Sequence, residues 1–355
     1  MRRGWLLMLA RVLLLWVLLL CTISASSALG RALPGGDQLL VESDRRNGLR
    51  DLRLVDVGRP LMVNLTRTPF ISEESAEWSR DGRLLTYIYG EVMIRDVCVW
   101  AVPALSRACA DSTGSFDDRP RWSSDSASIV YQSVTFGGDV RLSLLPQDLS
   151  SRVDVMTMGG YLDYAWSPDD RHIVFTAGLN YPLLHVLSLE RGAQPQRLFF
   201  DGIREYAPTF SPDGRWLAYI SEGERGQDLY RIPTSCLAQA ASCAAQVERL
   251  TSRESSFSAP DWSPDSRLLI YTSRVGNGFQ LVLLDTDDKR ERLLTNDGRQ
   301  YASPRFSPDG KAVVFLSGGG GRFDVYLRAL DAEAQPQRLT FDRWDNWSPL
   351  WRPRG

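Results

Sequence analysis

Side chains able to do chemistry are few in kind along this 355-residue chain, but they recur at fixed places. Two histidines occur, His172 and His185, and neither neighbours a serine or cysteine in a nucleophile setting. No G-x-S-x-G elbow is present, so the strained strand-to-helix turn of a hydrolase nucleophile is not encoded. Gly318 to Gly321 read as a turn rather than a phosphate loop, because no Lys-Ser/Thr follows them. The more informative set is Glu73, Asp117, Tyr161, Glu205, Phe257, Tyr301 and Asn346, each five residues before a recurring aromatic. Glu74, Asp118, Tyr206 and Trp347 are their next neighbours. Aromatic groups interleaved with carboxylates are suited to anchoring a Lys- or Arg-bearing peptide segment. Glu73, Asp117 and Glu205 could alternatively supply carboxylate ligands for metal-assisted hydrolysis or elimination.

The recurring aromatics are Trp78, Trp122, Trp166, Phe210, Trp262, Phe306 and Trp351. Six of them precede Ser-Pro-Asp-Gly or a near copy, centred on Asp81, Asp125, Asp169, Asp213, Asp265 and Asp309, at intervals of 44, 44, 44, 52 and 44 residues. A period in the forties marks an array of one supersecondary unit. Pro presets φ in such a turn, Asp accepts backbone hydrogen bonds and Gly tolerates positive φ. The repeated aspartates therefore have a turn to stabilise, and the aromatics have a core position between units.

The unit from Tyr301 to Asp342 supplies four strands: YASPRF, the apolar KAVVFLS, the alternating FDVYLRALD and the outer PQRLTF. Four short antiparallel strands per unit predict one blade of a β-propeller. Pro120, Pro208, Pro260, Pro304 and Pro349 each stand two residues before the aromatic. Proline cannot donate to a ladder, which places these strands at a sheet edge. SPLWRPRG at the end of the chain aligns with SPRFSPDG, while DQLLVES, LRDLRLVDVG and MVNLT near the start read as strands lacking a first partner. The expected fold is all-β, a seven-bladed propeller closed by pairing the C-terminal strand with N-terminal strands.

PRFSPDGKAVVFLSGGGGRFDVYLRALD and APTFSPDGRWLAYISEGERGQDLYRIP resemble the WD40-like repeat of TolB-type β-propellers, with relatives in the propeller domains of prolyl oligopeptidases and tricorn-like proteases. The resemblance spans residues 36–355. It implies a propeller and leaves function open. TolB itself would imply six blades and an N-terminal α/β domain, neither of which is read here.

Residues 1–30 begin with two arginines and contain an uncharged stretch from Val12 to Gly30. They read as a signal peptide or a transmembrane signal-anchor forming an N-terminal hydrophobic helix. Residues 31–35 form a spacer. Basic residues before the apolar run would keep that end cytoplasmic and put the propeller in an extracytoplasmic compartment, secreted or tethered to the membrane. Export agrees with two local cysteine pairs, Cys98 with Cys109 and Cys236 with Cys243, as disulfide candidates. No C-x-x-C occurs, and no metal or cofactor is expected. Net charge is −2, falling to −5 without Arg2, Arg3 and Arg11. With no basic stripe, nucleic-acid binding is not indicated. The expected function is a non-catalytic module binding a protein or peptide of the cell envelope through the seven-residue ring. The alternative is a metal-assisted hydrolase or lyase with its site at the channel mouth.

Overall fold

Each Ser-x-Asp turn folds as its residue types require. The serine hydroxyl donates to the aspartate two residues on, at 2.5–2.6 Å in all six copies, Ser79 to Asp81 through Ser307 to Asp309. These contacts hold the carboxyls of Asp81, Asp125, Asp169, Asp213 and Asp309 below the ordinary range, Asp213 at about 2. The apolar runs that follow become second strands such as Trp216–Gly223, Leu268–Val275 and Ala312–Gly318, with nearly all central residues buried.

In this computed structural model the described residues are 38–354, apart from 46–47, 59–60, 92–93, 103, 105, 111–113, 159, 161–162, 179–180, 200–203, 224–225, 253–257, 319–321 and 332–334. The described residues form an all-β fold, with two short 3-10 segments, arranged as successive antiparallel sheets in propeller fashion. Five sheets have four strands. A further sheet of eight joins two such groups through a single parallel bridge, Arg95 opposite Phe116. The final strand, Asn346–Trp351, pairs antiparallel with Gln38–Asp44, as the complementary chain ends predict. Hydrophobic clusters fill the spaces between neighbouring sheets. One unites Val130 and Leu142 with Ile173 and Phe175, and another unites Ala218 and Ile220 with Trp262 and Tyr271.

Both expected disulfides form. Cys98–Cys109 joins paired strands, and Cys236–Cys243 clips the 3-10 segment Thr234–Ser242 onto the core. The expected N-terminal helix, signal or anchor and spacer lie outside the described residues. Among the described residues no helix is long and apolar enough to cross a membrane.

Candidate functional site in the channel

An irregularity in five of the innermost strands decides which of their side chains reach the channel. Opposite two residues of the second strand, the first strand spends three: Glu74 to Glu77, Asp118 to Arg121, Tyr206 to Thr209 and Ala302 to Arg305. The last strand shows the same bulge against Leu40 and Glu42. At each bulge a non-glycine residue takes positive φ: Ser75 at 54°, Arg119 at 52°, Ala207 at 53°, Ser303 at 48° and Ser348 at 48°. That backbone costs about 1–2 kcal/mol per residue, and its recurrence shows that the fold requires it. Pro120, Pro208, Pro304 and Pro349 directly follow these residues. Their missing N–H suits a bulge as well as an edge.

Side chains alternate across a strand, so an extra residue exchanges its faces. The residues five before each aromatic consequently turn into the sheets. Glu73, Asp117, Glu205 and Asn346 are at most 1% exposed, and Tyr301 is also buried. Glu205 accepts the Leu184 N–H at 2.8 Å, and Glu73 accepts the Thr68 hydroxyl. Asp117 accepts the Ser115 hydroxyl at 3.3 Å, and the Tyr301 hydroxyl donates to Asp297 at 2.8 Å. Asn346 accepts the Ser43 hydroxyl at 2.6 Å and donates to the Phe323 carbonyl at 3.4 Å. Burial, opposed by the Thr68 contact, pushes Glu73 up to about 7. Tyr161 and Phe257 lie outside the described residues. Apart from the Asp117 contact, which lies within one strand, these contacts tie neighbouring strands and loops together.

The residue immediately before each aromatic faces the other way. This second ring reads Glu77, Arg121, Ala165, Thr209, Asp261, Arg305 and Leu350. Five of its members, with Asp163, Tyr164 and Trp166, line a cavity of about 370 Å³. Arg121 pairs with Glu77 at 3.3 Å, and Arg305 pairs with Asp261 at 3.1 Å. Beside them Arg119 pairs with Asp163 at 2.8 Å. The side chains of Glu77 and Asp261 are 27% and 25% exposed. Desolvation accordingly raises both carboxyl pKa values, against the lowering charges of Arg121 on Glu77 and Arg305 on Asp261. Arg305 also acts on Glu77, which places the two ion pairs within electrostatic reach of each other. Burial keeps the Tyr164 phenol protonated, and it donates to the Arg119 carbonyl.

The core aromatics fix this ring. The Trp122 indole N–H donates to the Glu77 carbonyl at 3.3 Å, Trp166 to the Arg121 carbonyl at 3.3 Å and Trp262 to the Thr209 carbonyl at 3.2 Å. Phe306 has no indole, but its backbone N–H donates to the Asp261 carboxylate at 2.8 Å. Charged residues next to buried aromatics were the sequence signal for this ring. Strict alternation read from the aromatic would have found it; counting five residues back crossed the hidden bulge.

Among the described residues no three His, Cys, Asp or Glu side chains converge to hold a metal ion. The channel carboxylates face guanidinium groups, which already supply the positive charge a metal would bring. His185 is stacked on Phe175, its Nδ1 lies 2.9 Å from the Leu183 carbonyl, and burial lowers its pKa.

With this geometry established, comparison with known proteins identifies the class. Residues 235–355 match the TolB beta propeller domain, which bears out the resemblance of the repeats to TolB-type β-propellers. No curated protein sequence matches it. Among solved structures, oligogalacturonate lyase in complex with manganese is similar at 16% identity and a TM-score of 0.68, covering 83% of this chain and 86% of that one. A puromycin-hydrolyzing peptidase of Mycobacterium tuberculosis is similar at 14% identity and a TM-score of 0.70 over 89% of this chain, which spans 54% of the peptidase. TolB from Acinetobacter baumannii is similar at 18% identity and a TM-score of 0.54, covering 91% and 88%. At these identities the likeness is one of fold. It nonetheless corrects the expected non-catalytic assignment: that expectation rested on the seven-residue ring and on the missing catalytic motifs, whereas the scaffold superposes better on those of a lyase and a hydrolase than on TolB.

Proposed function

We infer that this chain is an exported, seven-bladed propeller enzyme, a hydrolase or lyase whose acid–base site lies in the channel. The count of seven takes the eight-stranded sheet as two blades. Export, with the apolar N-terminal segment as signal or tether, is supported by the two disulfides. The observation carrying the catalytic reading is the pair of desolvated carboxyls, Glu77, which lines a cavity of about 370 Å³, and Asp261, which is paired with the cavity-lining Arg305. Separated catalytic groups with raised pKa values can hold or move a proton near neutral pH.

Glu77 is the proton donor in this reading, because burial favours its neutral form. Asp261, fixed by the Phe306 N–H, is the second carboxyl. Arg121 and Arg305 stabilise negative charge that develops between them. The metal seen with the lyase relative is not carried over, since the described donor set does not fit one.

The test is turnover of a panel by the full chain, including oligogalacturonates and aminoacyl amides of the puromycin type, with E77Q and D261N beside the wild type. An activity reduced roughly a hundredfold or more by E77Q supports the reading. Turnover insensitive to both substitutions, or none across the panel, contradicts it.

A further inference from the structure

The two channel ion pairs are unusually incomplete. Arg121 donates through Nη1 alone, to Glu77 at 3.3 Å and to the Pro120 carbonyl at 3.2 Å. Arg305 donates through Nη1 alone, to Asp261 at 3.1 Å. Among the described residues, Nε and Nη2 of both guanidiniums donate to no protein atom. An arginine that serves only as structural glue tends to use its fork in two parallel bonds. Here two forks sit in one cavity with donors to spare. Ala165 and Thr209 complete that side of the ring with short side chains, leaving the space that a ligand needs.

Charge decides the kind of ligand. Glu77, Asp163, Arg121 and Arg305 line the cavity and balance one another. A doubly charged phosphate would meet two carboxylates there. A proton on Glu77 leaves one net positive charge, which matches one carboxylate of the ligand.

We propose that Arg121 and Arg305 together grip the carboxylate of a small monoanionic substrate, which displaces Glu77 from Arg121. This deepens the proposed function by naming the substrate class of the same site. Glu77 takes up a proton as it loses its partner, so binding is linked to pH. The groups facing Glu77 are Arg121 and Arg305; Tyr164 and Asp163 act on Arg121, and Asp261 pairs with Arg305. Since Glu77 is displaced in its protonated form, affinity rises as pH falls.

The experiment is calorimetric titration of the full chain with glucuronate as the carboxylate probe and glucose as its neutral match, at about pH 5.5 and about pH 8. Glucuronate is expected to bind selectively, with proton uptake visible as a dependence of heat on buffer ionisation. R305A and R121A should each weaken it about ten- to hundredfold. R305K, which keeps the charge and loses the fork, should fall between them and the wild type. E77Q should bind at least as well as the wild type and lose the pH dependence. Equal binding of glucose, no binding of glucuronate, or indifference to R305A in a variant that melts like the wild type overturns the proposal. The two readings fail separately: glucuronate binding without any turnover would remove only the catalytic one. Turnover of an uncharged substrate that survives R305A would remove only this one.

Discussion

Two rings of side chains occupy the same innermost strands, four residues apart in sequence, and do opposite work. Glu73, Asp117, Glu205, Tyr301 and Asn346 are sealed into the sheets, where all but Asp117 are shown meeting a neighbouring loop or strand. Glu77, Arg121, Asp261 and Arg305 face one another across the channel in loose ion pairs. In the strands of Glu77, Arg121, Thr209, Arg305 and Leu350 a bulge with a strained residue at its centre turns the first position inward and the second outward. Carboxylates in the first ring hold the fold together, and the proposed chemistry falls to those in the second. Position relative to the bulge separates the roles; residue type does not.

The largest expected contrast is functional. E77Q should reduce turnover by about 10²–10⁴ while leaving thermal stability nearly unchanged. E205Q should do the reverse, with kcat per folded molecule retained and stability reduced. Replacing Glu205 by Ala would leave the Leu184 N–H without its acceptor and should cost about 1–3 kcal/mol in a denaturant titration. Loss of turnover on E205A, with full folding, would erase the distinction between the rings.

A smaller effect concerns pH. Burial raises the Glu73 carboxyl from 4.5 to about 7 in the folded chain. A raised carboxyl pKa contributes stability that is present below the unfolded value and lost as pH rises through the folded one. Wild-type stability should therefore decline between about pH 5 and pH 8 by on the order of 1–2 kcal/mol from this residue. E73Q should flatten that slope. An unchanged slope would place the titration elsewhere.

Smaller again is the turn itself. The depressed carboxyl of Asp213, at about 2, implies stability present above the unfolded pKa and lost as pH falls toward that value. D213N should cost about 1 kcal/mol at neutral pH, and the difference should shrink in acid. The smallest change is W122F, which removes the indole bond to the Glu77 carbonyl and keeps the ring in the core. It should lower turnover severalfold through misplacement of Glu77, with little change in stability.

Much of the fold was legible because its signals are local. The Ser-x-Asp contact, the apolar second strands and the complementary chain ends are each written within a few neighbouring residues. The site was less legible because its register depends on a backbone state that composition does not announce. Ser75, Arg119 and Ala207 share no glycine and no common side chain, yet all take positive φ. The prolines after Arg119, Ala207, Ser303 and Ser348 were visible, but an edge strand accounted for them without a bulge. The aromatic and carboxylate residues read as one ring then weighted the function toward binding, although the same scaffold is shared with enzymes.

The most direct test of the channel ring is to compare kcat/KM of wild type, E77Q and E205Q on one substrate that the wild type turns over. The account predicts a loss of about a hundredfold or more for E77Q and less than about threefold for correctly folded E205Q. Equal losses, or a loss confined to E205Q, would contradict the assignment of chemistry to the residue before the aromatic.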